Sequence, residues 1–457
     1  MTISSLDAFL DARLDTGLAD LPVLITPAGE WSVADIRTAR TAGALQAALS
    51  CNAVAVRLAD RLKLALAIIA LDGQVGRLLL LSSDMSDAEA RDLLAQFGGD
   101  ALLTDMASEG GKDSPEIIWR ETPKPGKGAD RMARPHVTTE WIFATSGTTG
   151  IPKLVAHSLA SLTRTTKLFS GGPRRWGQMY NIARFAGIQV FLQGITGGSL
   201  LLPAPETGLP EQLAFLAQNG CTALSATPTL WRKILMTPGH EILPLAQVTL
   251  GGEIADGVIL SALARAYPSA RVVHIYASTE AGTAFSVRDG RPGFPLSYLQ
   301  DAPGSVRLKV IDGRLFVRTR NTRATYLNRQ EAFADAEGFV DTGDRVEIDG
   351  DRCLFLGREN GAINVGGNKV YPEEVEHVLL AHPAVDLARV SARKSPITGQ
   401  LVVAEVVATP GADPSALPAA LKVWCADRLP HWKRPAMIRV VAHLPASAGG
   451  KVDRTQT

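Results

Sequence analysis

The sequence contains little cysteine and no excess of charge of either sign. Its four cysteines are far apart without a CxxC or Cys/His pattern, and none of the eight histidines forms an HxH or HxxxH pair. Such spacing gives no side-chain metal site and predicts reduced, buried thiols. Lysine plus arginine number 47 against 46 aspartate plus glutamate. With so little basic excess, the chain is not expected to hold nucleic acid or an anionic membrane by charge.

Long hydrophobic runs and a secretion signal are also lacking. The N-terminal segment carries Asp7, Asp11 and Asp15 where a signal peptide needs a basic end and an apolar run. The most apolar region, 62–82, is interrupted by polar and charged residues and is too short to cross a bilayer. We therefore expect a cytoplasmic protein with no membrane span.

The sequence does contain a regular alternation of apolar, strand-like runs and amphipathic, helix-like stretches. Its 457 residues, 46% of them hydrophobic, are enough for two or three domains with large cores. Short apolar runs rich in β-branched residues alternate with amphipathic stretches, which predicts an α/β domain of parallel, helix-covered sheets. The predicted strands are 53–58, 77–83, 140–146, 222–228, 247–252 and 271–278, and the predicted helices are 159–169, 211–219 and 257–266.

From about Gly304 the pattern changes to short alternating runs joined by Asp312-Gly313 and Asp349-Gly350, which predicts a small antiparallel, barrel-like region. After Gly357 the pattern is that of a compact α+β unit. The predicted helices there begin near residue 372 and cover 415–428, and the predicted strands are 385–392, 401–408 and 437–441. We therefore predict an N-terminal core domain over 1–356, a hinge at 357–360 and a C-terminal domain over 361–457.

The segment TSGTTGIPK, 145–153, is the strongest functional signal. Its glycines leave backbone N–H groups free to point at phosphate oxygens, its hydroxyls donate, and a lysine follows an apolar strand. A solvated turn is the alternative interpretation. A Walker loop is disfavoured because Lys153 lies between Pro152 and Leu154 rather than in a Gly-Lys-Ser/Thr sequence. The predicted phosphate ligands are Thr145, Ser146, Gly147, Thr148, Thr149, Gly150 and Lys153.

This loop and several later segments resemble, in order and spacing, the adenylate-forming superfamily of acyl-CoA synthetases, peptide adenylation domains and firefly luciferase. The later segments are GGE at 251–253, YASTEAG at 276–282, TGD at 342–344, GRENGAINVGGNKVYPEEVE at 357–376 and LPASAGGKVDR at 444–454. The resemblance covers residues 140–454. It implies a large N-terminal domain with a small, mobile C-terminal lid.

The resemblance also implies a reaction in which a carboxylic acid attacks the α-phosphate of ATP and releases pyrophosphate. Glu280 is then the magnesium ligand, Thr279 bonds the α-phosphate, and Lys451 bridges the attacking carboxylate and that phosphate. Tyr276 is expected to stack on adenine, and the single carboxylate of Asp344 can accept from two ribose hydroxyls. The full set of residues implied at the adenosine is Gly251, Gly252, Glu253, Tyr276, Ala277, Ser278, Asp344 and Arg358.

In a second step of the family, the lid turns about a hinge, here Glu359 or Asn360, and a thiol displaces AMP. Gly366 and Gly367 would line the path of a pantetheine arm, which belongs either to CoA or to a separate carrier protein. The sequence departs from the family at Asn364, where a lysine is usual. The missing cation is expected to affect one of the two half-reactions.

The acid site is expected around residues 183–200. Where amino-acid-activating relatives have an aspartate for the α-amino group, this sequence has Arg184, which disfavours an α-amino acid. Arg184 either binds a second acceptor on the acid or pairs with an acid of the protein itself, and internal pairing is the commoner role of such arginines. Phe185, Ile188 and Gly252 suggest a mostly apolar acyl or aryl slot.

Three functions follow in order of preference. The first is an AMP-forming acyl- or aryl-CoA synthetase that uses ATP, Mg²⁺ and CoA. The second is a stand-alone enzyme that loads a carrier-protein phosphopantetheine by the same chemistry. The third is a catalytically weakened nucleotide- or ligand-binding relative, against which the joint presence of Lys451, Glu280 and Asp344 argues.

Overall fold

The protein is described from a computed structural model. It describes residues 4–106, 116–121, 136–145, 152–166, 173–304, 306–319, 325–395 and 398–445. The helices are α1 Leu6–Leu14, α2 Val33–Ala39, α3 Gly43–Ala48, α4 Arg61–Leu71, α5 Asp87–Phe97, α6 Leu159–Leu162, α7 Phe185–Gly197, α8 Leu209–Gln218, α9 Pro228–Met236, α10 Gly257–Ala266, α11 Pro372–Leu380 and α12 Leu417–Ala426.

The strands are β1 Leu24–Thr26, β2 Gly29–Trp31, β3 Ala53–Arg57, β4 Arg77–Leu80, β5 Ala101–Thr104, β6 Glu116–Ile118, β7 Glu140–Thr145, β8 Lys153–Ser158, β9 Arg174–Gly177, β10 Gly198–Leu201, β11 Ala223–Ala226, β12 Gln247–Gly251, β13 Arg271–Ser278, β14 Gly282–Val287, β15 Phe294–Pro295, β16 Arg307–Ile311, β17 Arg314–Arg318, β18 Val340–Asp349, β19 Arg352–Arg358, β20 Ile363–Val365, β21 Asn368–Val370, β22 Val385–Ser395, β23 Gly399–Ala408 and β24 Met437–Val440.

Two large sheets carry the N-terminal part of the chain. One has eight strands in the order β14-β13-β12-β11-β9-β10-β1-β2, and the other has six in the order β6-β5-β3-β4-β7-β8. Their inner strands pair in parallel, as the near-continuous apolar runs predicted. The sheets are nevertheless mixed, because β2, β8 and β14 pair antiparallel with their neighbours.

The apolar region 62–82 is accounted for by packing between helix and sheet. In α4, every residue from Lys63 to Leu71 is buried, and β4 continues the same core. Among the described residues, no helix is both long enough and apolar enough to cross a membrane. One predicted helix is shorter than expected, since α6 ends at Leu162 instead of continuing to 169. Thr163 there bonds back to the Leu159 carbonyl, the local competition that makes threonine a poor helix former.

The first helix is tied to the eight-stranded sheet by one fully buried side chain. The guanidinium of Arg13 donates to the carbonyls of Leu21 and Pro22 and to those of Ile195 and Gly198, at 2.5 to 3.2 Å. Gly198 is the first residue of β10, so α1, α7 and the sheet meet at this side chain.

Two smaller sheets follow. The strands β15-β19-β18-β17-β16 form an antiparallel sheet, and its hairpin turn at Asp312 and Gly313 has φ of 50° and 73°, as an Asp-Gly turn requires. The last sheet, β21-β20-β23-β22 with β24 beside β23, buries α11 and α12 against one face. The predicted fold class, parallel sheets with an antiparallel region and an α+β C-terminal unit, is confirmed.

Candidate active site

The predicted phosphate loop connects two paired strands at the edge of the six-stranded sheet. Thr145 at the end of β7 lies opposite Lys153 at the start of β8, and its hydroxyl lies 3.4 Å from the Lys153 carbonyl oxygen. The Nζ of Lys153 lies 4.6 Å from the ring centroid of Tyr326. The predicted ligands Ser146, Gly147, Thr148, Thr149 and Gly150 lie outside the described residues, as does Lys451.

Tyr326 is held against the phosphate-loop strand by its neighbours in the chain. The amide of Leu327 donates to the Leu154 carbonyl, and the side chain of Asn328 bonds the Leu154 amide and the Pro152 carbonyl at 2.9 and 3.0 Å. The charge of Glu280 acts on the phenol of Tyr326. Burial, followed by the charge of Glu280, raises the pKa of Tyr326 to about 12. One buried ring thus contacts the predicted phosphate lysine, and its phenol is under the electrostatic influence of the predicted metal carboxylate.

Thr279 and Glu280 lie in the turn between β13 and β14, which the Ser278 hydroxyl closes by accepting the Ala281 amide at 3.0 Å. The pairing of β13 with β14 has a register shift between Tyr276 and Ala277, which changes the direction of the chain just before the turn. The turn is at the edge of the eight-stranded sheet, so a contact is needed to fix it relative to Lys153 in the other sheet.

His157 on β8 supplies that contact. Its Nε2 donates to the Thr279 carbonyl at 2.7 Å, and its Nδ1 lies 3.1 Å from the Ser161 hydroxyl. Burial is the main cause that lowers the pKa of His157, although the bond to Thr279 opposes it, so the imidazole is neutral near pH 7. Because strand side chains alternate, Lys153 and His157 are on one face of β8. The strand carrying the predicted phosphate lysine therefore also holds the turn carrying Thr279.

The predicted ribose ligand is at the junction of β18 and β19. Asp344 pairs with Arg358 across these strands, and Arg358 Nε donates to its Oδ1 at 3.0 Å. The other oxygen, Oδ2, accepts from the Tyr276 hydroxyl at 2.5 Å. The ring of Tyr276 stacks on Phe285 and Phe355, with centroids 5.2 and 5.1 Å away and interplanar angles of 17° and 13°. The stacking of adenine on Tyr276 stays a prediction. An adenine there would stack on a ring that is already stacked with Phe285 and Phe355.

The GGE segment lies at the carboxyl end of β12. The carbonyl of Gly251 accepts from the Tyr180 hydroxyl at 3.3 Å, and Gly252 has φ of +83°, a conformation that favours glycine. The carboxylate of Glu253 accepts the Thr229 amide in the first turn of α9 at 2.9 Å. Glu253 therefore has a structural bond in addition to its predicted place at the adenosine.

The predicted acid slot begins at the N-terminus of α7. Arg184 precedes the helix and pairs with Asp84 at 2.9 Å, with 46% of its side chain exposed. The ring of Phe185 contacts those of His157 and Phe143, with centroids 5.3 and 5.9 Å away. Ile188 is fully buried in the core. Of the three, Phe185 contacts His157, the residue bonded to Thr279, whereas Ile188 is part of the buried core.

The predicted hinge joins β19 to the C-terminal sheet through a short 3-10 turn, 359–361. The Glu359 carboxylate contacts Lys369 and accepts from the Tyr371 hydroxyl at 3.3 Å on one side, and lies 3.6 Å from Arg345 on the other. Lys369 and Tyr371 follow the hinge, whereas Arg345 is on β18. The carboxylate therefore links the two predicted domains.

The predicted thiol-path glycines form the two-residue turn between β20 and β21. Gly366 and Gly367 have φ of +57° and +89°, and nothing lies within 4 Å of a Cβ built on either. Asn364, where the family has lysine, accepts the Gly367 amide with its Oδ1 at 3.0 Å. The departure from the family thus has a structural role in this turn.

Comparisons with known proteins agree with this order of segments. A family model described as AMP-binding enzyme matches residues 29–317, and the model of the AMP-binding enzyme C-terminal domain matches residues 374–451. The chain belongs to the AMP-binding enzyme family. It shares 28% identity over 348 residues with the human mitochondrial acyl-coenzyme A synthetase ACSM5, covering 69% of this chain and 60% of that protein. The chain thus spans about three fifths of the length of that relative.

A second AMP-binding relative is the 2-succinylbenzoate–CoA ligase of Geobacillus kaustophilus, 28% identical over 341 residues, with 69% of this chain and 68% of that protein covered. Among solved structures, the anthranilate CoA ligase AuaEII in complex with anthranoyl-AMP superposes with a TM-score of 0.80 at 18% identity. That match covers 99% of this chain and 96% of the other, and it shows the shared fold.

Two residues of this site were missed in the sequence. His157 had a usable signal, because it is four residues after Lys153 on a predicted strand and so faces the same side. Tyr326 had none beyond being an aromatic residue in a polar segment, 173 positions from the lysine that it contacts. Its role arises from tertiary contacts that a local pattern does not encode.

Proposed function

We propose that this AMP-binding enzyme activates a carboxylic acid with ATP to an acyl-adenylate, releasing pyrophosphate, and then transfers the acyl group to the thiol of CoA. The observation that carries the proposal is the joining of Lys153, Glu280 and Thr279, from two different sheets, through Tyr326 and His157. These contacts bring a cation, a carboxylate and the turn that carries Thr279 into one neighbourhood, as electrostatic stabilisation of a reacting phosphate requires.

The residues present fit a magnesium ion that is brought by the nucleotide. Among the described residues no cluster of three or more His, Cys, Asp or Glu could hold a metal by itself. Mg²⁺ is commonly bound through one or two carboxylates plus substrate phosphates, and Glu280 is such a carboxylate. The bound ion would supply positive charge to the phosphate oxygens. Lys153 and the proposed lysine, Lys451, add cations of the chain itself.

The proposed acid is an aryl or acyl acid without an α-amino group. Arg184 already has Asp84 as its partner, which supports the structural role for this arginine. Phe185, at the start of α7, belongs to an aromatic cluster with Phe143 and His157, and an aromatic cluster beside the proposed slot favours a flat ring. Two of the similar proteins are named for 2-succinylbenzoate and anthranilate, which supports an aryl acid for this chain, whereas the name of ACSM5 gives only an acyl group.

The thiol proposed is that of CoA, because the names of both relatives described above, an acyl-coenzyme A synthetase and a CoA ligase, include coenzyme A. The open turn at Gly366 and Gly367 leaves room for a slender pantetheine arm. A carrier protein would present the same arm, so this turn does not distinguish CoA from a carrier protein. The assay described next does.

The test is acid-dependent exchange of labelled pyrophosphate into ATP across aryl acids, fatty acids, dicarboxylates and amino acids, followed by addition of CoA or a carrier protein. We expect exchange with aryl acids and formation of a CoA thioester together with AMP. The Lys451→Ala variant should lose exchange while its unfolding temperature stays unchanged. Exchange with amino acids only, or none with any acid, would contradict the proposal. Thioester formation only with a carrier protein would replace CoA as the acceptor.

A further inference from the structure

The phenol of Tyr276 is bonded to the carboxylate that the proposed function assigns to the ribose. Its hydroxyl lies 2.5 Å from Asp344 Oδ2, while Arg358 Nε occupies Oδ1 at 3.0 Å. Each carboxylate oxygen accepts two hydrogen bonds. With one position on each oxygen taken by the protein, one on each is left, which matches the two neighbouring hydroxyls of a ribose.

The direction of the phenol is fixed by the ring's own packing. Phe285 on β14 and Phe355 on β19 stack on the ring with centroids 5.2 and 5.1 Å away. Phe355 and Arg358 are on the same strand, and Asp344 is on the strand paired with it. The Asp344 carboxylate and its partner Arg358 are therefore on one hairpin, formed by β18 and β19. The other partner, Tyr276, is near the end of β13.

The phenol is also held in the donating form. Burial is the larger cause and the Asp344 charge the next, and both raise the pKa of Tyr276 well above its ordinary value. The hydroxyl therefore keeps its proton at neutral pH, and its bond to a carboxylate is of the strong, charge-assisted kind. The Asp344 side chain is 14% exposed, so it has little solvent to hold it in another rotamer.

We propose that Tyr276 is a positioning residue for nucleotide binding, which acts through Asp344 by orienting the carboxylate so that its free lone pairs meet the ribose 2′ and 3′ hydroxyls. This inference rests on the proposed use of ATP and deepens it. It differs from stacking on adenine, because the group that matters is the hydroxyl rather than the ring.

The two roles are separated by Tyr276→Phe, which keeps the aromatic ring between Phe285 and Phe355 and removes only the hydroxyl. Loss of an orienting bond to a charged group should raise the Kd of ATP roughly tenfold. The matched control is Tyr298→Phe, which removes a hydroxyl bonded to the Ser286 carbonyl in the same aromatic cluster, without contact to Asp344. It should leave the Kd unchanged.

The decisive measurement is the Kd of Mg·ATP, 2′-deoxy-ATP and 3′-deoxy-ATP by titration calorimetry without acid, for the wild type, both variants and Asp344→Asn. Because the deoxy nucleotides lack one of the hydroxyls, Tyr276→Phe should weaken them by a smaller factor, about threefold or less. Melting curves check that each variant is folded. In exchange assays the KM for ATP should rise while the KM for the acid stays constant.

An unchanged Kd for ATP in Tyr276→Phe would overturn the inference, as would equal weakening of ATP and both deoxy nucleotides. The proposed function has a separate point of failure. If the wild-type protein binds ATP but catalyses no exchange with any acid, the proposed function is wrong, whereas the ratios of Kd still decide the role of Tyr276.

Discussion

Replacing His157 by phenylalanine tests whether one imidazole sets the geometry between the two sheets. The change keeps an aromatic ring beside Phe143 and Phe185, whose centroids are 5.8 and 5.3 Å from the imidazole. It removes the bond to the Thr279 carbonyl. Ser161 keeps its bonds to Ser158, so the main cost falls on the Thr279 side of the contact.

The magnitude follows from the group that is left without a partner. A fully buried carbonyl deprived of its donor costs about 1–3 kcal/mol; because the Thr279 contact is partly buried, we expect the free energy of unfolding to decrease by an amount near the lower end, about 1 kcal/mol. The turn that carries Thr279 and Glu280 is then free to shift. Since a displacement of about 1 Å can cost about 100-fold in rate, we expect kcat/KM for pyrophosphate exchange to fall about 10- to 100-fold.

The assays are urea unfolding and acid-dependent exchange, performed in parallel on the wild type and on His157→Phe. The control is His240→Phe, which also replaces an imidazole packed edge-on against an aromatic ring, here Tyr267, in a different part of the chain. It should change stability without changing kcat/KM. Full activity of His157→Phe, or equal losses in the two variants, would refute this account of the turn.

The pH dependence of stability gives an independent check. The pKa of His157 is lowered in the folded protein, so between that pKa and the ordinary value of 6.5 the unfolded chain binds more protons. The wild type therefore loses stability as pH falls below 6.5, and keeps the full contribution above it. His157→Phe lacks this term, so the difference in stability between the two proteins should shrink as the pH is lowered from 7 to 5.

Two further substitutions test the fold and the thiol path. Asp72 accepts the Leu6 amide and the Trp141 indole N–H at 2.7 and 2.8 Å, and Asp72→Asn should cost about 1–3 kcal/mol in urea unfolding, because an amide accepts only one of them. Burial raises the pKa of Asp72 to about 6, so wild-type stability should fall as pH rises from 3.8 to 6, a slope that the variant loses. Asn364→Ala removes the acceptor of the Gly367 amide and should slow thioester formation about two- to tenfold. Its rate of pyrophosphate exchange should not change, and an equal loss in both half-reactions would contradict that assignment.

The sequence was most informative where structure is local. The β-branched runs that became β3, β12 and β13 and the Asp312-Gly313 turn were predicted because alternation and turn chemistry act over a few residues. The motifs likewise led to the prediction of Lys153, Glu280 and Asp344 as site residues, through their resemblance to a family, and these roles stay predictions.

The partners of those residues were less predictable. The Tyr276 hydroxyl bonds Asp344, which is 68 positions away in the sequence, and His157 bonds Thr279, which is 122 positions away. No local sequence pattern predicts either pairing. Glu253, expected only at the nucleotide, also bonds the first turn of α9. The helix expected over 159–169 ended early because threonine side chains compete for backbone acceptors.

The buried Arg13 has a consequence for engineering this protein. Its guanidinium is fully buried, and burial lowers its pKa to about 10, yet it donates to four carbonyls in two separate segments of the chain, 21–22 and 195–198. Cutting the first fifteen residues, as when trimming a protein for crystallisation, would remove the Arg13 donor from all four oxygens, of which the Pro22 carbonyl would still accept from the Ser199 hydroxyl. Fusion partners are therefore better attached before Ser5 than in place of α1. Any shortened form of the enzyme should keep this N-terminal helix.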